Sequence, residues 1–300
     1  MNPDTLASPP HAVLLATDLS ARCDRALDRA LLLARQWQAR LVVATVVEND
    51  PGQSLVDGVL GTSENQRPSA RQLAERRLLR DLGELQDPPP LTVRVERGQV
   101  GRTLLEVARE EGCGLIVTGL ARDTLFEPQV LGSSVAWLAR NAGIPLLVVH
   151  GRARAPYRGI AVASDFSDAA RHALQAAQRL FGPAPLLSLV HGVHVPKAGL
   201  LSAGRDAALD AACDKARSQA RAWLRDCGLD PAQAEAAPLV VQPGDPARLV
   251  RDHARDHPVD LVVVGSQGRG ALSEILLGSV ANRVLETGET DTLLVQQRPA

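Results

Sequence analysis

His11-Ala-Val-Leu-Leu-Ala-Thr-Asp18-Leu-Ser20 is echoed in mid-chain by Arg158-Gly-Ile-Ala-Val-Ala-Ser-Asp165-Phe-Ser167. Each is a short apolar run that stops at an aspartate and then a serine. An amphipathic stretch follows each one, from Arg22 to Trp37 and from Ala169 to Phe181. This is the pattern of a buried strand running into a helix that covers it. Ser20 and Ser167 stand where a hydroxyl could accept from the free amides of a first helical turn, so both are expected to be N-caps.

Working outward, the same order recurs in both halves. Apolar runs at Leu41–Val47 and Leu186–Val190 lack strict alternation and are rich in branched residues, as strands covered on both faces are. Helical patterns return at Ser69–Leu85 and Arg205–Cys227, and strands at Leu91–Glu96 and Pro238–Gln242. Gly98 and Gly244 mark turns into helices at Arg102–Glu110 and Ala247–His257. Fourth strands are Leu115–Gly119 and Leu261–Gly265. Helices near Val130–Asn141 and Glu274–Glu286 then lead to fifth strands at Leu146–His150 and Thr292–Gln296.

The two series run at an offset of 146 residues, pairing Gly98 with Gly244, Gly119 with Gly265 and Gly132 with Gly278. Only the first aspartates sit at 147, which implies one residue gained or lost around the first helix. Similarity at one fixed offset over this length marks an internal duplication. Strictly alternating strands and helices require parallel strands, right-handed crossovers and helices on both sheet faces. The expected fold is α/β: two tandem doubly wound domains, 1–151 and 152–300, each with a five-stranded parallel sheet, joined by a linker at Gly151–Tyr157. Asn49–Pro68 and His194–Gly204 read as surface excursions, and Asp87-Pro-Pro-Pro90 as a stiff turn.

Composition narrows the function. Lys and Arg total 33 against 34 Asp and Glu, a formal net charge of -1, so nothing in the bulk charge drives binding to nucleic acid or an anionic membrane. Aromatic residues make up 2% of the chain, too few for base-stacking platforms, and the core must be built from Leu, Val, Ile and Ala. Cys23, Cys113, Cys213 and Cys227 form no close pair, which suggests free thiols in a reducing compartment. The first ten residues do not resemble a secretory signal, and no window has the uncharged length of a membrane span. A cytoplasmic location is expected.

In an open parallel sheet, ligands gather beyond the carboxyl ends of the strands where the connectivity reverses. There the second half carries Gly265-Ser-Gln-Gly268-Arg269-Gly270, followed by Gly278-Ser279. A loop without Cβ atoms can turn its amides toward phosphate oxygens, and a following helix N-terminus adds a favourable dipole. Ser279 would add a hydroxyl, and Arg269 either a charge-assisted contact or a solvated side chain. No Walker lysine is present, and the loop follows a fourth strand instead of opening a Rossmann unit. By spacing alone, nucleotide binding and a structural loop both remain open.

The duplicated fold, Asp165 after the first strand, and GSQGRGALSEILLGSVANRVL together resemble the universal stress protein family in a tandem form, over roughly His11–His150 and Arg158–Gln296. The resemblance implies a strand order of 3-2-1-4-5 in each half and ATP in the second crevice. By the same resemblance Asp165 and His191-Gly192-Val193 would face adenine and ribose, and Gly265, Gly268, Gly278 and Ser279 would hold phosphates, with magnesium as a candidate companion. It also implies pairing through fifth strands, as a pseudo-dimer within the chain or a homodimer of chains. The first half departs from the motif. Arg122 stands where the second glycine belongs, and Gly132-Ser133 follows, so this copy reads as degenerate, with phosphate contact by Arg122 or ordinary binding as alternatives.

Weaker candidates are His191 with His194, which lack the further ligands of a recurring metal site, and His253 with His257, expected at the surface. Asp260 is expected to cap or solvate a turn. Three functional classes follow: an ATP-binding stress-response or regulatory protein, a scaffold or interaction dimer that binds no nucleotide, and a slow ATP hydrolase. The last is the weakest, because no lysine or general base accompanies the loop.

Overall fold

The computed structural model describes residues 9–20, 23–47, 69–120, 132–182, 186–194, 202–266 and 277–296. In chain order the first half has β1 (Ala12–Ala16), α1 (Asp24–Trp37), β2 (Arg40–Val47), α2 (Ala70–Gly83), β3 (Leu91–Arg97), α3 (Val100–Glu110), β4 (Leu115–Gly119), α4 (Ser133–Asn141) and β5 (Leu146–Val149). The second has β6 (Gly159–Ala163), α5 (Asp168–Phe181), β7 (Leu186–Val193), α6 (Ser202–Asp226), α7 (Pro231–Ala236), β8 (Leu239–Pro243), α8 (Pro246–Asp256), β9 (Leu261–Gly265), α9 (Ser279–Thr287) and β10 (Asp291–Val295). Each half is a parallel sheet of order 3-2-1-4-5, and β5 pairs antiparallel with β10 to join them into one ten-stranded sheet.

The inner strands are buried on both faces, as their branched, non-alternating composition demands, with Val13, Leu14, Leu41, Val42, Leu115 and Ile116 fully covered, while the edge strands β3 and β8 each bury a single residue. Each such side chain contributes about 1.5–3 kcal/mol on leaving water. One face is covered by α1, α2, α5 and α6, whose core residues form one cluster spanning both halves. The other is covered by α3, α4, α8 and α9.

The duplication persists in backbone detail. In both halves a hydroxyl (Thr17, Ser164) accepts from the amide two residues on, at 3.0 Å each. The aspartate accepts likewise, Asp18 from Ser20 at 2.9 Å and Asp165 from Ser167 at 3.1 Å. The residue between them is left-handed, with φ of 63° at Leu19 and 61° at Phe166. Side chains two residues upstream supply these bonds locally, which is how non-glycine residues are held in that conformation.

Two expectations fail here, each for its own reason. Ser167 caps α5, accepting from the Ala170 amide at 3.2 Å, but Ser20 does not cap α1; that position falls to Cys23. The segment from Asp18 to α1 is three residues longer than its counterpart, and the one from α1 to β2 two residues shorter than that from α5 to β7. The net single residue seen in the sequence offset therefore conceals two compensating changes, and the longer one moves Ser20 away from the helix. His253 is also not at the surface. It is 7% exposed, its Nε2 lies 2.9 Å from the Ser188 hydroxyl, and its ring lies against that of the exposed His257. Asp260 ties the start of β6 to β9 by accepting from the Arg158 and Gly159 amides. The excursion at 49–68 lies outside the described residues, as does 195–201 of the second one.

The seam between the halves is polar on one side. Asp291, 3% exposed, accepts from the His150 and Gly151 amides at 2.8 and 2.9 Å and from the Tyr157 hydroxyl at 2.6 Å. Arg29 of α1 completes this centre: its Nε lies 3.3 Å from Asp291, its guanidinium stacks 4.0 Å over the Tyr157 ring, and Nη1 donates to the Ala155 carbonyl. Burial pushes the Tyr157 phenol well up, and the neighbouring Asp291 charge adds to it, so the hydroxyl stays a donor. On the opposite side Gln296 bridges to Gly143 and Ala139.

Candidate functional site

The crevice of the second half opens where β6 and β9 end. Ala163 is level with Val190 and Val264, so Asp165, His191 and Gly265 emerge at one edge. Gly265 is required by packing. A Cβ there would come within 2.9 Å of the Ala169 carbonyl carbon and oxygen, in the first turn of α5. Its absence lets the turn that carries Asp165 close against the end of β9.

Gly192 has the same kind of role on the other flank. A Cβ would meet the Gly244 carbonyl oxygen and Pro246 Cγ, both at 2.8 Å. Gly244 itself has φ of +143°, a conformation that needs glycine. The turn held this way delivers Asp245, which caps α8 by accepting from the Ala247 amide and pairs with Arg283 on α9. The rim thus runs from β7 through Gly244 and Asp245 to α9.

α2, α5, α7 and α8 carry side-chain caps at Ser69, Ser167, Asp230 and Asp245, whereas α9 starts without one, as do α1, α3 and its counterpart α4, whose N-cap is Gly132. In α9, Gly278 at the N-cap supplies no side chain, and its own amide donates to the Ser266 carbonyl at 2.7 Å. The first-turn amides beginning at Ser279 have no intrahelical acceptor, and they lie at the positive end of the helix dipole. An anion placed there would complete the helix.

His191 braces the crevice from beneath. Its Nδ1 lies 2.7 Å from the Ser164 carbonyl, which requires the proton on that nitrogen, and its ring stacks on Phe166 at 4.4 Å. Phe166 in turn meets Trp223. The Val193 side chain is buried beside Cys213, Ala216 and Val241, leaving only its main chain for the crevice. His194 is exposed. Gly268 and Arg269, like Arg122 in the first half, lie outside the described residues. No cluster of three or more metal-ligating side chains occurs among the described residues.

The first half differs beneath the same turn. Leu19 and Thr45 stand where the second half has Phe166 and His191, and a cavity of about 330 Å³ lies beside Leu19, bordered by Ser20, Cys23, Leu27, Val43 and Leu78. Cys23 donates to Asp18 at 3.2 Å. Partial burial works to raise the Asp18 pKa, but hydrogen bonds from Ser20 and Cys23 outweigh it and hold the carboxyl below its usual value; burial raises the Cys23 thiol. The aromatic brace, the Asp245–Arg283 pair and the Arg29–Asp291 seam were not anticipated. The one signal that points to them is a break in the repeat, such as Asp291 standing where the first half has Pro145.

The universal stress protein family model matches residues 10–150 and again 156–296. The chain belongs to the universal stress protein family. It is 28% identical to a universal stress protein of Mycolicibacterium smegmatis across 96% of this chain and 98% of that one. A second relative, universal stress protein Sll1388 of Synechocystis, is 34% identical over 28% of this chain and 54% of its own length. Among solved structures, a putative universal stress protein from Pseudomonas aeruginosa UCBPP-PA14 superposes with a TM-score of 0.62 at 22% identity, covering 97% of this chain and 95% of that one. A functionally unknown protein from Pseudomonas aeruginosa PAO1 gives 0.63 at 20%, covering 98% and 94%. These structures share the fold, and the tandem architecture of this universal stress protein is thereby established. No described helix is long and apolar enough to cross a membrane.

Proposed function

We propose that this universal stress protein is an ATP-binding stress-response or regulatory protein that holds one adenine nucleotide in its second half. The observation that carries the reading is the α9 N-terminus: a helix start without a side-chain cap, at the crevice rim, in the Gly-x2-Gly-x9-Gly-Ser spacing. In this reading Asp165 addresses the ribose, while Ser279 and the first-turn amides, with Gly268 and Arg269, address the phosphates. Gly265 and Gly192 shape the walls. Magnesium would be held through phosphate oxygens and water, since no protein ligand cluster is at hand among the described residues. No turnover is part of the reading.

The same reading divides the chain into domains 1–151 and 152–300, the first with a degenerate motif, paired through β5 and β10 as a pseudo-dimer in the cytoplasm. Calorimetric titration of ATP with magnesium tests it. The wild type is expected to bind saturably, and a folded Gly278→Val variant to lose at least about tenfold in affinity, the scale of a clash and lost charge-assisted contacts. Unchanged affinity in that variant would remove the site from the second half.

A further inference from the structure

The second face of the sheet is covered by two equivalent helix pairs, α3 with α4 and α8 with α9, related by the offset of 146 residues. In the first pair the space between the helices is filled. Leu104, Leu105 and Leu138 are buried, and Leu146 at the start of β5 joins the same cluster, with Ile144 packed against it. The Trp137 indole lies so close over α3 that a Cβ on Gly101 would come within 2.7 Å of its ring.

The second pair keeps the helices and changes the filling. Val250 and Val284 stand where the first has Leu104 and Leu138, Arg251 where it has Leu105, and Thr290 and Thr292 where it has Ile144 and Leu146. In place of Trp137 is Arg283, which reaches the crevice rim to pair with Asp245. Between α8 and α9 lies a cavity of about 470 Å³, bordered by those five smaller or more polar residues and by Ala247, the counterpart of Gly101. Small-molecule pockets measure about 300–1,000 Å³. The cavity runs away from the Asp165 crevice: α8 and α9 start at that rim, whereas Arg255 and Thr287, on the cavity wall, stand at their far ends near the start of β10.

Val250, Val262 and Val284 give the cavity an apolar floor, and its two sides differ in charge. On the α8 side are Arg251 and Arg255. Together with Arg248 they share two carboxylates, Asp252 and Asp256, and Arg251 meets Asp252 only at 3.7 Å, so this side keeps positive charge. The α9 side is rich in acceptors. The Thr287 and Thr292 hydroxyls spend their protons on the Arg283 and Thr290 carbonyls, which leaves their oxygens as acceptors. The last-turn carbonyls of α9 lack intrahelical donors and carry the negative end of its dipole, and the Glu289 carboxylate borders the cavity beside them. A ligand that satisfies both sides carries a carboxylate, an ammonium group and an apolar body.

We infer that the cavity between α8 and α9 binds a free amino acid with an apolar side chain. Its carboxylate is held by Arg251 and Arg255, its ammonium by Glu289 and the acceptors at the end of α9, and its side chain by the valine floor. The site does not depend on the nucleotide reading.

Isothermal titration of the full chain with L-phenylalanine and L-leucine tests this, beside 3-phenylpropanoate and 2-phenylethylamine, which each lack one charged group of phenylalanine. At least one of the two amino acids should bind saturably, one per chain, with a Kd of about 1 mM or tighter. Each analogue should bind about tenfold more weakly than phenylalanine, or worse. Two variants carry residues of the first half into the second. Val250→Leu/Val284→Leu fills the floor and should weaken amino-acid binding about tenfold or more, with the circular dichroism unchanged. Arg251→Leu should weaken the amino acids and 3-phenylpropanoate to a similar extent but spare 2-phenylethylamine. Failure of both amino acids to bind, an analogue that binds as well as phenylalanine, or wild-type affinity in the folded Arg251→Leu variant would overturn the inference.

Discussion

Replacing Asp291 with alanine removes an acceptor on which four groups converge, and the cost follows from who is left behind. Arg29, 5% exposed, keeps its charge but loses the carboxylate 3.3 Å away. The Tyr157 hydroxyl and the His150 and Gly151 amides lose their bonds to it at the same time. Breaking a buried ion pair by deleting one partner costs about 3–5 kcal/mol, most of it the penalty of an uncompensated buried charge. The seam lies in the middle of the continuous sheet, so the loss should appear in the unfolding of the whole chain. Urea denaturation followed by far-ultraviolet circular dichroism is the assay. With an m-value of about 3 kcal/mol/M, the midpoint should fall by about 1 M or more. The double variant Arg29→Met/Asp291→Leu leaves no charge unpaired and should recover part of that loss, the rest remaining because Tyr157 and the His150 and Gly151 amides still lack their acceptor. A single variant within about 0.5 kcal/mol of wild type, or a double variant as unstable as the single, would refute the reasoning.

Three further outcomes follow from the same geometry. Gly265→Ala forces a Cβ against the Ala169 backbone and should cost about 1–3 kcal/mol in urea while displacing the Asp165 turn; a neutral substitution would show that the close approach is not needed. Ser167→Ala removes the α5 cap and should cost about 1 kcal/mol in the same assay. The His253 pKa is lowered, by burial first and then by the neighbouring His257, so between its folded value and the unfolded 6.5 the unfolded chain binds more protons. Stability should therefore fall as pH drops through and below 6.5. Ser188→Val/His253→Val, which restores the Val42 and Val107 pairing of the first half, should flatten that part of the pH profile.

Parallel strands with helices on both faces were legible because the signal occurs twice, as branched apolar runs at one offset, each followed by Asp and Ser; the 3-2-1-4-5 strand order was implied by the resemblance to the family, not by the pattern itself. Helix boundaries blurred where compensating length changes hide in a net offset, as at Ser20 and Cys23. His253 was misplaced because nothing local in the sequence shows that Ser188, 65 residues away, awaits it on β7. The roles of Gly192 and Gly265 were also hidden, since a glycine motif suggests phosphate contact, whereas these two glycines admit neighbouring backbone. Asp291 was visibly atypical beside Pro145, but its partners come from α1, from the end of β5 and from Tyr157, which only the fold assembles.

The central claim is that the second crevice holds a single adenine nucleotide. Freshly purified protein should be denatured and the released nucleotides identified and counted by liquid chromatography and mass spectrometry, with retention after titration with ATP and magnesium measured on the same preparation. One adenylate per chain is the predicted result. No retention even after titration would contradict the account, and two per chain would show that the Arg122 loop of the first half binds as well.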